Sequence, residues 1–330
     1  MNWQPSATVE TLKQRAKFLA KVRRFFADRN VMEVETPILS QGTVTDVHLD
    51  AFTTQFEHSS NDSGSAQLYL QTSPEFAMKR LLAAGSGAIY QLGKAFRNEC
   101  AGRFHNPEFT MLEWYRPGYD DHQLMAEVDD LVQNLLACSP AVKLTYQQAF
   151  QQYLNIDPLT ITTDELKTLV LTYSDDDWLR NNKDKDIFLQ WLFSMRIEPQ
   201  LGKLQQNDSE TFVPCFVYDF PASQASLAKV NEVDSRVAHR FELYFQGVEL
   251  ANGFYELQDA DEQLQRFQND NELRRQNHLP QKPVDKNFID ALQSGLPECS
   301  GVALGIDRLF MLQQGISTIA QVLSFDINKA

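Results

Sequence analysis

The sequence predicts an α+β fold, an antiparallel β-sheet flanked by helices. Three observations predict it. Two apolar strands, 88–99 and 109–118, bracket a charged loop, and residues 240–257 read as a second hairpin. A long amphipathic helix opens the chain. A small-residue strand running into a helix closes it, and hairpins outnumber any strand–helix–strand rhythm. With 330 residues and no internal repeat, low-complexity tract or Pro/Gly linker, residues 1–330 read as one continuous domain with a large core.

Residues 9–29 place Val9, Leu12, Ala16, Leu19, Val22 and Phe26 at steps of three or four, the spacing of an amphipathic helix. Its other face carries Lys13, Arg15, Lys17, Lys21, Arg23 and Arg24 and reads as a solvated face or as a docking surface for an acidic partner. Val31–Val34 alternates until Pro37, which suits an edge strand or an interface. Residues 57–67 are turn-rich and read as a surface loop. A short strand follows, then a helix opened by Ser73 with Pro74 just inside and closed by Gly85. The strands at 88–99 and 109–118 come next, the second ended by Pro117-Gly118, and then a helix over about 120–137. Residues 139–210 are polar and weakly periodic, which predicts a few short helices without assigned chemistry. Residues 211–221 are apolar enough for a buried strand. The 240–257 hairpin turns at Gln246-Gly247, 260–278 is a charged helix, and 300–315 is the closing strand and helix.

Composition excludes several classes. No run of eighteen apolar residues is present, so no transmembrane helix is expected. The N-terminus lacks the basic start and apolar stretch of a secretory signal. Cys100, Cys138, Cys215 and Cys299 are widely separated, which argues against a disulfide framework or zinc site and for a reducing cytoplasm. A net charge of −14 argues against broad nucleic-acid binding but not against a local basic patch.

Three constellations carry chemistry. A two-residue turn at 246–247 sets Phe245 against Val248 and Tyr244 against Glu249, and puts Glu242 on the face of Glu249, diagonally across. Two such carboxylates repel unless a cation lies between them, and oxygen-only ligation suits Mg²⁺ held partly through phosphates; solvent-facing glutamates are the alternative. Asn252, Phe254 and Glu256 alternate onto one face, while strict alternation puts Glu249 on the other; a bulge at Gly253 would reset the phase. Arg97 and Glu99, two apart on a strand, share a face, and the guanidinium there can grip a phosphate or carboxylate with two hydrogen bonds; a structural ion pair is the alternative. Phe109 offers a ring for a base, with His105 and Asn106 as polar edges beside it. GVALGIDR supplies small residues over which a flat ligand could approach the backbone, then Arg308; a close helix–strand contact explains the small residues equally well.

Together these segments resemble the catalytic core of class II aminoacyl-tRNA synthetases, and within them the lysyl type. FRNE with HNPEFTMLEWY is similar to motif 2, GVALGIDR to motif 3, and Val31–Pro37 after its long helix to the dimer-forming motif 1. TSPEFAMKRLL and ELANGFYEL resemble amino-acid-binding segments of the lysyl enzymes. The resemblance runs from about residue 10 to the end and makes 139–210 an insertion between motifs 2 and 3. Two departures stand out. The core begins almost at Met1, so no anticodon-reading barrel is expected, and Ala303 stands where the lysyl enzymes typically carry glycine. Both match the paralogous family that attaches (R)-β-lysine to a lysine of elongation factor P. The loop AGRFH also differs from the usual lysyl sequence.

The resemblance implies ATP as co-substrate, Mg²⁺, a cytoplasmic homodimer, and elongation factor P as protein substrate, with lysine or (R)-β-lysine as the small one. It puts Arg97 on the α-phosphate and the substrate carboxylate, and Arg308 on the far phosphates. Adenine would lie between Phe109 and Arg308, and Asn98, Glu99, His105, Asn106, Leu243 and Gly305 would contact ATP. Glu242 and Glu249 would hold the metal, Glu242 touching ATP as well and Glu249 the substrate. Ser73, Pro74 and Glu75 would meet the amino group nearest the carboxylate. Tyr115 and Glu256 would hold the distal ammonium, with Asn252 and Phe254 lining the pocket. Two anions must meet in such a reaction, so the site has to cancel charge before aligning them. The Ala303 methyl would bias the pocket toward β-lysine; neutral drift or strand packing is the alternative. Two further readings compete: a truncated lysyl-tRNA synthetase charging tRNA, and a non-catalytic synthetase-like regulatory subunit. The acidic balance disfavours the first. Retention of Arg97, Glu99, Glu242, Glu249 and Arg308 disfavours the second.

Overall fold

The computed structural model describes residues 3–57, 66–206 and 209–330. Most of the surface loop expected over 57–67 lies outside the described residues. In chain order the elements begin with α1 (Val9–Ala27), β1 (Met32–Glu33), β2 (Leu39–Ser40), β3 (Thr53–Phe56), β4 (Ala66–Leu70), α2 (Glu75–Ala83), β5 (Ile89–Phe96) and β6 (Glu108–Pro117). Next come α3 (Asp121–Leu136), β7 (Val142–Thr145), α4 (Tyr146–Leu154), α5 (Thr163–Leu171), α6 (Asp177–Asn181), α7 (Lys185–Leu192), β8 (Lys203–Gln206), β9 (Ser209–Phe212), β10 (Cys215–Pro221), β11 (Val237–Phe245) and β12 (Val248–Tyr255). The chain closes with α8 (Ala260–Gln276), α9 (Lys286–Gly295), β13 (Cys299–Gly305) and α10 (Ile306–Gln313). Two compact units result: residues 1–119 with 258–330, and residues 120–257.

In the first unit the strands lie in the order β1-β5-β6-β13. β5 and β6 form the expected hairpin from Ile89↔Tyr115 to Phe96↔Glu108, and β13 pairs antiparallel with β6 from Cys299↔Pro117 to Gly305↔Met111. β1 is the edge strand the Pro37 stop predicted, but it runs parallel to β5. The sheet is therefore not purely antiparallel. The long connection between β1 and β5 contains α2, and a crossover of that length is what returns a strand in the same direction. A small sheet, β2-β4-β3, is antiparallel throughout.

Helix α1 starts at Thr8, whose hydroxyl accepts the Thr11 N–H at 3.1 Å. Its buried face is Phe18, Val22, Phe25 and Phe26, whereas Val9 is 62% exposed and Ala16 is exposed too. Val22 and Phe26 are buried as expected, but the stripe is rotated toward Phe18 and Phe25, because phenylalanine rings bury more area than Ala16 or Val9. Phe26 stacks on Tyr90 with centroids 4.4 Å apart and meets Trp114 edge-on at 5.3 Å, while Phe18 lies 5.3 Å from Phe310. The rotation also takes Arg15 off the solvated basic face, since its guanidinium is largely buried.

The second unit has the strand order β12-β11-β10-β7. β7 runs parallel to β10, again across a helical connection. The β11–β12 turn has Gln246 at φ +56 and Gly247 at φ +72, the two positive values that a tight hairpin turn of matching twist requires. The ladder holds Phe245↔Val248 and Tyr244↔Glu249, then jumps to Leu243↔Ala251. The bulge therefore falls at Leu250, not Gly253. Gly253 pairs regularly with Phe241, and a Cβ there would lie 2.3 Å from the Phe241 ring, so glycine makes room for that ring. The phase reset itself occurs as expected.

The short helices expected within residues 139–210 form and pack together. Helices α4 to α7 build a core of Tyr146, Phe150, Leu166, Val170, Phe188, Leu192 and Phe193 against Cys215, Val217 and Phe220. Capping boxes at Thr145 and Thr162 start α4 and α5. Among the described residues, no helix is long and apolar enough to cross a membrane.

Candidate active site

One face of the first unit's sheet carries Phe109, Met111, Glu113 and Tyr115 from β6, by the two-residue alternation of a strand. Register sets Gly305 against Met111, Ala303 against Glu113 and Gly301 against Tyr115. The small residues Gly301, Ala303 and Gly305 thus form a low strip beside Tyr115, Glu113 and Met111.

At one end of this face lies a buried polar cluster. The Ser73 hydroxyl donates to Glu113 Oε2 at 2.7 Å, and the Tyr115 hydroxyl donates to Glu113 Oε1 at 2.7 Å. Ser73 Oγ also accepts the Glu75 N–H at 3.0 Å, which holds Pro74 in the turn that starts α2. Glu75 pairs with Lys79 at 2.7 Å, and Lys79 is 1% exposed. Burial pushes the Glu113 carboxyl up to about 7, and the nearby charge of Glu75 adds to it; Tyr115, Ser73 and Lys79 pull the other way without prevailing. A buried carboxylate so placed gains most from a cationic ligand.

Sequence reasoning found Ser73, Glu75 and Tyr115 but missed Glu113. The signal was available, since Glu113 stands two residues before Tyr115 on the same strand face, as Glu242 stands before Tyr244.

At the other end, Arg97 lies over the Phe109 ring, 5.2 Å from its centroid. β5 stops at Phe96, so the expected strand to Glu99 is too long. The Arg97 N–H still donates to Pro107 O at 2.9 Å, but the Asn98 N–H turns to Asp50 O at 2.8 Å, and Glu99 sits exposed in a bend. Arg97 and Glu99 consequently do not share a strand face. The Asn98 side chain donates to Asp50 Oδ2 at 3.3 Å, and Asp50 in turn accepts Lys282 Nζ at 2.8 Å. Arg308 donates to Phe104 O at 3.1 Å, and its Nη2 lies 2.7 Å from His105 Nε2. The motif 3 arginine is thus brought onto the motif 2 loop. Asn106 ties that loop to the C-terminus, donating to Glu108 O at 2.7 Å and accepting the Ile327 N–H at 3.0 Å.

In the second unit, Glu242 is buried in β11. Its Oε1 accepts Arg240 Nη2 at 2.6 Å and its Oε2 accepts the Tyr244 hydroxyl. Burial raises the Glu242 carboxyl; Glu249 raises it further, while Arg240 and Tyr244 oppose. The like charge of Glu249 reflects the diagonal proximity to Glu242 expected from the hairpin. The Asn252 side-chain carbonyl oxygen is buried and has no partner among the described residues, so it is an acceptor available to a ligand. Phe254 packs 6.0 Å from the Arg240 guanidinium, Glu256 is 2% exposed, and Leu243 points into the core.

The pair Glu242 and Glu249 fits Mg²⁺ of the kind bound by one or two carboxylates, with phosphates and water completing its shell. Their mutual repulsion is what a divalent cation relieves. No group of three or more metal-ligating side chains occurs among the described residues, so an all-protein cage is not what these residues offer.

The chain belongs to the tRNA synthetases class II (D, K and N), whose family model matches residues 1–329. Two curated relatives narrow the comparison. The chain is 54% identical over 328 residues to the elongation factor P--(R)-beta-lysine ligase of Salmonella dublin, spanning 99% of this chain and 98% of that protein. It is 56% identical over 328 residues, with the same coverage, to the protein of that name from Pseudoalteromonas translucida (strain TAC 125).

Proposed function

We propose that the protein activates (R)-β-lysine with ATP and transfers it to the ε-amine of a lysine on elongation factor P. The observation that carries this reading is the layout of one strand face. Phe109 with Arg97 above it and Glu113 with its two hydroxyl donors stand four residues apart on β6, about 13 Å along the strand. That span suits an aminoacyl adenylate, ring at one end and ammonium at the other.

In the first step a substrate carboxylate oxygen bonds to the α-phosphorus and pyrophosphate leaves. Arg97 neutralises the two anions as they meet, Arg308 holds the far phosphates and one side of adenine, and Phe109 holds the other side. Mg²⁺ held by Glu242 and Glu249 would offset phosphate charge. Glu75 and Glu113 receive the amino group nearest the carboxylate, and Tyr115 the distal one. In the second step the acceptor ε-amine, in its neutral form, attacks the activated carbonyl; an amide forms and AMP leaves. No nucleophile from this chain takes part, so the chain contributes position and charge.

Ala303 stands directly opposite Glu113, where a methyl group alters the room beside the amino group. Ala303→Gly shifts the ratio of β-lysine to α-lysine activation by about fivefold toward α-lysine, on the order of one methylene's worth of contact. ATP–pyrophosphate exchange with each amino acid measures it, and an unchanged ratio removes Ala303 from the account. Self-association belongs to the same proposal. Met32, Ile38 and Leu39, 49%, 42% and 45% exposed, gather around the Pro37 edge, and sedimentation showing only monomer at micromolar concentration would contradict it. We further propose that residues 1–330 act as one catalytic domain carrying 139–210 as an insertion, in the cytoplasm, where its four free cysteines stay reduced.

A further inference from the structure

β13 ends at Gly305, opposite Met111, so its ladder with β6 stops one residue short of Thr110. The Thr110 N–H donates instead to Asp307 Oδ2 at 2.7 Å. A side chain from the first turn of α10 has taken over the place that the departing strand left. The other carboxylate oxygen, Asp307 Oδ1, accepts Arg15 Nη2 from α1 at 2.5 Å, and the same Nη2 donates to the Thr110 hydroxyl at 2.9 Å. Asp307 is 2% exposed and Arg15 12%.

The sequence neighbours give this cluster its meaning. Thr110 follows Phe109, and Asp307 precedes Arg308. One bond therefore joins the residue next to the ring with the residue next to the guanidinium. We infer that Arg15 and Asp307 are positioning residues that fix the gap between Phe109 and Arg308, and through it the slot for the adenine of ATP. This rests on the ATP reading above and adds to it a third element, α1, that touches no nucleotide.

A buried carboxylate accepting a backbone amide needs a counter-charge, and Arg15 supplies it with one hydrogen bond to Asp307 while a second holds the Thr110 hydroxyl. Without Arg15, the carboxylate is drawn toward water and the Thr110 amide loses its fixed acceptor. The slot loosens while the Ser73–Glu113–Tyr115 cluster, on another stretch of the sheet face, keeps its own bonds.

The test compares wild type, Arg15→Met, Arg15→Lys and Asp307→Asn. MgATP affinity is measured by calorimetric titration, and the amino-acid KM by pyrophosphate exchange at saturating ATP. Arg15→Met weakens MgATP binding by tenfold or more and leaves the amino-acid KM within twofold. Arg15→Lys stays within threefold of wild type for both, because a charge is restored. Should Arg15→Met fail to fold, Asp307→Asn serves on the same scale; it keeps an oxygen for Thr110 but loses the charge facing Arg15, and weakens MgATP alone by about fivefold. Variants that melt earlier yet bind MgATP as wild type does, or that lose both substrates equally, overturn the inference. A wild type that binds no MgATP overturns the ATP reading and this inference with it.

Discussion

Arg97→Ala lowers amino-acid-dependent ATP–pyrophosphate exchange by about 10²–10³-fold, the effect of removing one preorganised donor from the place where charge develops. The Arg97 N–H is held by Pro107 O, and the next residue is anchored twice to Asp50, so the side chain leaves a fixed point and lies over Phe109. A guanidinium presented this way spends little entropy on gripping the incoming anions. Arg97→Lys recovers little, because an ammonium cannot reproduce the planar two-bond grip. The loss falls on kcat more than on the amino-acid KM. Exchange kinetics decide it: activity within tenfold of wild type in a folded Arg97→Ala variant would remove this residue from the chemistry.

Glu113→Gln has the second large effect, and it carries a pH signature. A buried carboxylate facing an ammonium is worth several kcal/mol when its partner is lost, so the variant raises the amino-acid KM by about 10²-fold or more. In the wild type the carboxyl titrates near 7 while the site is empty, pushed up by burial and by Glu75. Only the ionised form attracts the cation, so the wild-type amino-acid KM falls as pH rises from 6 to 8, and this slope vanishes in Glu113→Gln. Stability moves the opposite way. A carboxyl raised in the fold from its ordinary 4.5 to about 7 favours the folded state at low pH. That advantage fades as pH climbs from 4.5 through 7 and is gone above it. Glu113→Gln therefore melts higher than wild type at pH 8 and not at pH 4. A KM slope that survives the substitution would show that another group titrates.

Particular elements explain what the sequence disclosed and what it withheld. The Gln246-Gly247 turn was legible because a two-residue hairpin demands positive φ at both positions, and few residue pairs supply it. The bulge beside it was misplaced because Leu250 has no local signature, whereas Gly253 looks like a bulge and instead answers to the Phe241 ring. Strand direction at β1 and β7 depends on where a long crossover returns, which no local pattern encodes. The α1 stripe keeps Val22 and Phe26 from the expected pattern but is completed by Phe18 and Phe25, and this turn of the helix takes Arg15 out of solvent. Residues of the motif segments meet one another. Ser73 and Tyr115 meet on Glu113, Arg97 meets Phe109, and His105 meets Arg308. Glu113 itself went unseen because its raised affinity for protons comes from burial and from the charge of Glu75, a residue distant in the chain.

The central claim is that this chain builds an amide on a protein rather than an ester on a nucleic acid. Purified elongation factor P, incubated with the protein, MgATP and (R)-β-lysine, is weighed by intact mass spectrometry, with tRNA^Lys offered in a parallel reaction. The account predicts an ATP-dependent gain of one β-lysyl group on a single lysine of elongation factor P, and no acylated tRNA. An unchanged elongation factor P beside aminoacylated tRNA would contradict it.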